Sequence, residues 1–181
     1  MQQDNVTKQL MKDLKVKNIH QVPRITHVVV TVGVGKQRDN AGFVKAVEKD
    51  LAAITGQKPH PRHAKKAVAG FNVREGNLVG YRVTLRGSRA MDFVQRFVNI
   101  TLPRVRDFRG VTLSSLDGHG NLSVGLAEHL PFPEIHPDKT DVIFGVQSTF
   151  VSSAANDAEG EALFRALGFP LTKDVKQEET N

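Results

Sequence analysis

Strand-like and helix-like patterns alternate along this chain, and their order constrains the fold more than any other feature of the sequence. Residues 25–34 are rich in Val and Ile, and Gly33 and Gly35 lie at the end of this run, which is typical of a buried strand ending in a turn. The next segment predicts a helix that Asp39 or Asn40 caps and that ends just before Gly56. Apolar residues recur on one face of this helix: Phe43, Val47, Leu51 and Ile54.

The middle of the chain predicts a β-hairpin and a second helix. Residues 67–73 and 78–86 are expected to form the two strands, with a turn at residues 74–77 between them. Ser88 is predicted to cap a helix that ends at Pro103, because proline disfavours helical geometry in the residue before it.

Further elements flank this middle region. An amphipathic helix is expected at about residues 5–17, strands at 122–126 and 142–152, and a last helix from Asp157. Some of the predicted strands form a hairpin, and others are separated by helices. This combination favours an α+β fold. We therefore expect a mixed, largely antiparallel sheet with helices packed on one face, the other face free to bind, and a projecting basic loop.

Length and composition bound the class of protein. A chain of 181 residues suits one core, so we expect residues 1–170 to form a single domain and the polar residues 171–181 a disordered tail. The chain has no cysteine, which removes disulfides, thiolate zinc sites and cysteine nucleophiles. Its first residues contain no long apolar run, so we expect neither a signal peptide nor a membrane span, and a cytoplasmic location.

Positive charge is concentrated in residues 58–110. This stretch holds 12 of the 25 Lys and Arg residues but three acids, a net charge of +9, whereas the rest has 13 cationic and 16 acidic residues, a net charge of −3. From Lys58 to Arg74 five cations precede any acid, whereas an ordinary solvated face mixes the two signs. Such a patch indicates a polyanionic partner, and nucleic acid is the polyanion that we expect.

The charge lies on two kinds of predicted element. Side chains alternate along the strand at residues 78–86, so Arg82, Thr84 and Arg86 share the face opposite a packed apolar one. Residues 58–66 contain two prolines, four cations and two histidines without an apolar period, and they predict an exposed loop.

Aromatic residues that could stack on bases are few. The chain has one Tyr and no Trp, and most of its ten Phe residues have apolar surroundings. Binding is therefore expected to rest on phosphates, sugars and shape more than on base stacking.

Two patterns suggest catalysis, and neither meets its requirements. Residues 33–36 follow a strand and precede a helix, but a nucleotide P-loop needs four residues between its glycines and a Ser or Thr after the lysine. Here one residue separates the glycines, and Gln37 follows the lysine. His60, His63 and His119 lack the three or four convergent ligands of a zinc site. The sequence thus predicts no enzyme, cofactor, metal or small-molecule substrate.

A series of ordered strings resembles one protein family. They are ITGQKP at 54–59, AKK at 64–66, FNVREG at 71–76, RVTLRG at 82–87, LPRVRDFRG at 102–110, DGHGN at 117–121 and FPEI at 132–135. In this order and spacing, from about residue 18 to 170, they resemble the family of bacterial large-subunit ribosomal protein five, which binds 5S rRNA in the central protuberance.

The resemblance implies several partners. The exposed sheet face would bind 5S rRNA, the loop around residues 62–76 would reach peptidyl-site tRNA, and other surfaces would meet large-subunit rRNA. A further surface, expected at residues 109–115 and 135–145, would form an intersubunit bridge with small-subunit ribosomal protein thirteen. In the family an Asn, a Gln and a Thr on or beside the sheet contact the RNA. Gln57 and Thr84 match two of these, whereas Thr31 stands where Asn is usual and offers one donor instead of two.

The resemblance and the charge pattern together give two sets of candidate residues. Those expected to bind 5S rRNA are Thr31, Gln57, Lys58, Arg82, Thr84 and Arg86. Those expected in the tRNA-contacting loop are Arg62, His63, Lys65, Lys66 and Arg74. The leading hypothesis is a non-catalytic structural protein of the large ribosomal subunit. A phosphate-handling enzyme that uses residues 33–36 and His119, and a general RNA chaperone, remain the alternatives.

Overall fold

The protein has an α+β fold, as predicted, built on a five-stranded and mostly antiparallel sheet. This computed structural model describes residues 2–16, 18–35, 37–137, 140 and 142–172. The strands are β1 (Ile25–Gly33), β2 (His60–His63), β3 (Leu78–Arg86), β4 (Val111–Thr112), β5 (Leu122–Leu126), β6 (Val146–Ser152) and β7 (Leu171–Thr172). The helices are α1 (Gln2–Asp13), α2 (Ala41–Thr55), α3 (Ser88–Arg96), α4 (Leu102–Arg104) and α5 (Asp157–Ala166). The five-stranded sheet has the order β2-β3-β1-β6-β5, and β4 pairs with β7 in a separate parallel pair.

The described chain divides into two compact units. The first comprises the described residues within 2–28, 86–124 and 149–172, and the second comprises those within 29–85 and 125–148. The boundaries fall inside four strands, β1, β3, β5 and β6. The single domain expected over residues 1–170 stays a prediction.

Phenylalanine side chains form the core of the first unit. The ring centroid of Phe150 on β6 lies 5.1 Å from that of Phe97 and 5.0 Å from that of Phe169. Phe164 on α5 lies 5.3 Å from Phe169, and all four rings are buried. Burying one such side chain contributes about 1.5–3 kcal/mol, so this cluster is a main source of stability. It also shows that α5 covers the face of β6 to which Phe150 points.

The helix after β3 differs from its prediction in three details. Ser88 was predicted to cap it, which is wrong: Gly87 occupies the N-cap position and no side chain caps the helix. The helix also does not continue uniformly, because Phe97–Thr101 form a π-helical turn between α3 and α4. Pro103 does not end the helix as predicted, because α4 continues through it to Arg104 and the extended Val105 follows.

Both ends of the described chain dock in the first unit. Helix α1 starts three and ends four residues earlier than predicted, and its buried Leu10 packs against Leu163 of α5. Leu171–Thr172 pair in parallel with Val111–Thr112, so the prediction of a disordered tail is wrong for these two residues. Residues 173–181 lie outside the part of the chain that the structure describes.

Helix α2 of the second unit agrees with its prediction at both ends. The Asn40 side chain accepts hydrogen bonds from the backbone N–H groups of Gly42 and Phe43, and Gly56 closes the helix with a φ of 64°. The predicted apolar face is buried. Burial and, after it, the Glu48 carboxylate raise the pKa of Tyr81, whose protonated hydroxyl donates to Glu48 Oε2 over 3.5 Å. Helix α2 therefore lies on the buried side of β3.

The predicted hairpin has a different first strand. Residues 78–86 form β3 as expected, but the antiparallel partner is β2, which lies within the segment predicted to be a loop. All four residues of β2 are exposed, so no apolar alternation marks it. It is an edge strand, and an edge strand tolerates Pro61 because one of its sides carries no ladder hydrogen bonds.

Two other predicted strands are corrected. Residues 67–73 contain the 3₁₀ turn Ala69–Phe71, closed by an isolated bridge between Val68 and Val73, instead of a strand. Although the segment is largely apolar, most of its side chains are exposed. Strand β6 begins at Val146 instead of residue 142.

Candidate nucleic-acid interface

The three predicted RNA-binding residues of β3 alternate with buried ones. Tyr81, Val83 and Leu85 are buried, whereas Arg82 and Arg86 are exposed and Thr84 is half-buried. The alternation predicted from the sequence is therefore confirmed. On the adjacent β1, Thr31 is half-buried between Val30 and Val32, which are both buried, so it too points away from the core.

Strand β2 widens this face. His60 pairs with Arg82 and Arg62 pairs with Gly80, and residues directly opposite in an antiparallel pair share one face. The structure thus places Arg62, predicted as a loop residue, on the sheet beside Arg82. His63 also lies in β2, after a register shift between Arg62 and His63.

Gln57 and Lys58 are exposed just before β2. Because β2 runs antiparallel to β3, residues that precede His60 lie toward the Arg86 end of β3. The Thr55 hydroxyl contacts the carbonyl oxygens of Leu51 at 2.7 Å and Gln57 at 3.1 Å, which fixes the exit from α2. We call the whole set the sheet surface: Thr31, Gln57, Lys58, His60, Arg62, Arg82, Thr84 and Arg86.

The cations of the sheet surface come from stretches of sequence that contain few acids. No Asp or Glu occurs between Asp50 and Glu75, or between Glu75 and Asp92. Within the described ranges, the side chains of Lys58, Arg82 and Arg86 form no ion pair. Guanidinium and ammonium groups that form no ion pair keep their N–H donors available for phosphate oxygens.

Residues 64–77 form a projecting segment that we call the β2–β3 loop. Its base is closed by the Ala64 N–H donating to Asn77 O at 2.8 Å and the Gly76 N–H donating to Ala64 O at 3.0 Å. The ring nitrogen Nδ1 of His63 lies 3.0 Å from Gly76 O. Three predicted cations project from this loop, and all are exposed: Lys65, Lys66 and Arg74.

The tip of the loop has its own hydrogen bonds. The Val68 and Val73 N–H groups each donate to the other residue's carbonyl, over 2.9 and 3.2 Å. Asn72 has a φ of 50°, and its carbonyl accepts a hydrogen bond from Arg38 Nη2. The Phe71 side chain between these supports is 80% exposed. Sequence reasoning placed most Phe residues in the core and missed this one, although the neighbouring Gly70 and Asn72 are typical turn residues.

The features that suggested catalysis have structural roles or lie outside the described residues. Lys36 is outside them. In the turn around His119, the Asp157 carboxylate accepts hydrogen bonds from the Gly118 and Gly120 N–H groups. A hydrogen bond from the Asn121 side chain is the main cause that lowers the pKa of Asp117. Among the residues that the structure describes, no group of three or more His, Asp and Glu could hold a metal ion.

One buried polar residue was not anticipated. The His129 ring is fully buried, lies 3.4 Å from Asp50 Oδ2 and stacks on Phe144 at a centroid distance of 3.9 Å. Desolvation lowers its pKa, and the Asp50 carboxylate opposes that shift without reversing it. His129 therefore supports α2 from within the second unit.

Comparison with known proteins agrees with the resemblance. Residues 18–74 match the model of the family described as ribosomal protein L5, and residues 78–171 match the model of the C-terminus of that ribosomal family. The large ribosomal subunit protein uL5 of Prochlorococcus marinus (strain AS9601) is 49% identical over 171 residues, 94% of this chain and 96% of that protein. The uL5 protein of Fusobacterium nucleatum is 50% identical over 168 residues, 93% of this chain and 92% of that protein.

The fold and these matches identify a structural ribosomal protein and not an enzyme. No helix in the described ranges is long and apolar enough to span a membrane. The chain belongs to the ribosomal protein L5 family, because its two family models together cover most of its length.

Proposed function

We propose that this protein binds 5S rRNA through the sheet surface and contacts peptidyl-site tRNA through the β2–β3 loop. Membership of the family makes it a constituent of the large ribosomal subunit in the bacterial cytoplasm. We further propose that other surfaces of the protein contact large-subunit rRNA.

The observation that carries the proposal is the set of exposed cations on the sheet surface that form no ion pair among the described residues. Arg82 and Arg86 stand two pleats apart on one strand, with the Thr84 hydroxyl between them and the β2 side chains of His60 and Arg62 alongside. Guanidinium groups bind phosphates, and a hydroxyl can bind a ribose 2′-OH, which are the contacts by which folded RNA is held. Strand geometry fixes their spacing, which suits the regular backbone of an RNA helix.

The β2–β3 loop supports a second contact. Its exposed cations, Lys65, Lys66 and Arg74, project beyond β2 and β3 and are separate from the strand face. An RNA on the sheet surface would leave them accessible. For the intersubunit bridge with small-subunit protein thirteen, the proposed residues are 109–115 and 135–145, on family resemblance alone; residues 138, 139 and 141 lie outside the described chain.

Electrophoretic mobility shift of the full chain with 5S rRNA, across a salt series, tests the sheet surface. Arg82→Gln is expected to weaken binding about tenfold and to reduce the salt slope by about one, because one phosphate contact is lost. The matched control is Arg165→Gln, since Arg165 is on α5 and is paired with Glu161 at 2.6 Å. Equal effects of the two substitutions would refute the assignment. Equal affinity for unrelated RNAs would instead favour a general chaperone.

A further inference from the structure

Phe71 has an environment that charge does not explain. Its side chain is 80% exposed, whereas eight of the other Phe residues are buried and Phe108 is half-buried. A large apolar side chain in water gives up the roughly 1.5–3 kcal/mol that burial would provide. The ring therefore does not stabilise the core, and its face is available to a partner.

Hydrogen bonds hold the backbone on both sides of Phe71 in place. The bridge between Val68 and Val73 closes the tip on one side, and Arg38 donates to Asn72 O on the other. The Arg38 side chain is only 18% exposed, so its surroundings restrict its motion and keep the hydrogen bond to Asn72 O in place. Because the backbone that carries Phe71 is already ordered, binding through its ring costs less conformational entropy than it would on an unordered loop.

The surroundings of Phe71 favour RNA over an apolar protein partner. The same loop carries the exposed cations Lys65, Lys66 and Arg74 and one acid, Glu75. An exposed ring among cations is the combination that proteins use for unpaired nucleotides: the cations attract phosphates and the ring stacks on a base. A duplex offers no exposed base face to such a ring, except at its ends and loops.

We propose that Phe71 stacks on an unpaired nucleobase of the RNA that the β2–β3 loop meets. This inference rests on the proposed tRNA contact and refines it, since it assigns base stacking to one residue and phosphate binding to Lys65 and Lys66. From the sequence, binding was expected to rely on phosphates, sugars and shape more than on base stacking. We keep that expectation for the sheet surface. At the tip of the β2–β3 loop, we propose base stacking in addition.

The test measures release of peptidyl-site tRNA from ribosomes that carry the full-length variants. Phe71→Leu keeps an apolar side chain without an aromatic face, and we expect release to be about tenfold faster. Phe71→Tyr keeps the ring, and we expect release within about twofold of wild type. Stacking does not depend on counterions, so Phe71→Leu is expected to leave the salt dependence of release unchanged, whereas Lys66→Ala should reduce it.

Two results would overturn the stacking role: wild-type release from Phe71→Leu, or equal defects in Phe71→Leu and Phe71→Tyr. The double variant Lys65→Ala with Lys66→Ala separates this failure from failure of the proposed function. If that variant releases tRNA faster while Phe71→Leu does not, the loop binds tRNA through phosphates alone. If neither variant changes release, the tRNA contact itself is wrong.

Discussion

The sheet surface and the β2–β3 loop carry similar cations on different supports. On the sheet surface, strand pairing fixes the neighbours of each side chain, as in the pairing of His60 with Arg82. In the loop, the supports are a few hydrogen bonds: those at the base between Ala64 and the segment 76–77, and the one that Arg38, outside the loop, donates near the tip. The two sets of cations are thus held by different contacts, so we expect a substitution in one region to leave the other region intact.

Gly80 is where the sheet depends most directly on the absence of a side chain. A Cβ atom at this position would lie 2.5 Å from Val32 O, a backbone atom that cannot rotate away. We expect Gly80→Ala to lower the free energy of unfolding by about 3 kcal/mol, measured by urea denaturation. It should also weaken 5S rRNA binding, because the register of β3 sets the spacing of Arg82 and Arg86.

The loop provides a matched control for that substitution. A Cβ atom at Gly70 would meet nothing within 4 Å, and its backbone is not in the left-handed region. Gly70→Ala is therefore expected to change the free energy of unfolding by less than about 0.5 kcal/mol. Similar losses from the two substitutions would contradict the difference in support between sheet and loop.

Arg38 allows the loop to be loosened while the sheet is left intact. Removing its hydrogen bond to Asn72 O with Arg38→Ala should speed amide hydrogen exchange at residues 68–73. Release of peptidyl-site tRNA is expected to be about threefold faster, with 5S rRNA affinity unchanged. Gln37→Ala, at an exposed neighbouring position, serves as the control and should match wild type. A loss of 5S rRNA affinity in Arg38→Ala would show that the loop and the sheet are coupled.

The smallest expected effect is a change in the pH dependence of stability, which involves the buried His129 beside Asp50 of α2. The pKa of His129 is lowered by burial, so at low pH the unfolded state binds a proton more readily than the folded state does. The free energy of unfolding should therefore fall as pH decreases below about 6.5, and this dependence should be weaker in His129→Gln. His136→Gln, at an exposed position, should keep the wild-type pH dependence. An unchanged pH dependence in His129→Gln would contradict this role.

Local patterns predicted the elements whose residues are buried on one face. Helix α2 begins after Asn40 and ends at Gly56 as expected, because its caps and its apolar period act within the helix itself. Alternation along β3 likewise identified the exposed Arg82 and Arg86. Both cases depend on interactions between residues that are close in sequence or on one strand.

The missed features depend on contacts that no local pattern encodes. Strand β2 owes its geometry to pairing with β3, so its four exposed residues show no apolar period. Residues 67–73 read as a strand because they are apolar, yet Phe71 stays exposed since nothing in the described chain covers it. The contact between buried His129 and partly buried Asp50 joins positions far apart in sequence. The assignment of each surface to its RNA stays a prediction.

The central claim is that the sheet surface and the β2–β3 loop bind different RNAs, and one paired measurement tests it. Arg82→Ala with Arg86→Ala, and Lys65→Ala with Lys66→Ala, are each assayed for 5S rRNA affinity and for tRNA release from the peptidyl site. We predict that the first pair weakens 5S rRNA binding by about thirtyfold, and that the second leaves it within about twofold while speeding tRNA release. Equal losses of 5S rRNA affinity in the two double variants would contradict the account.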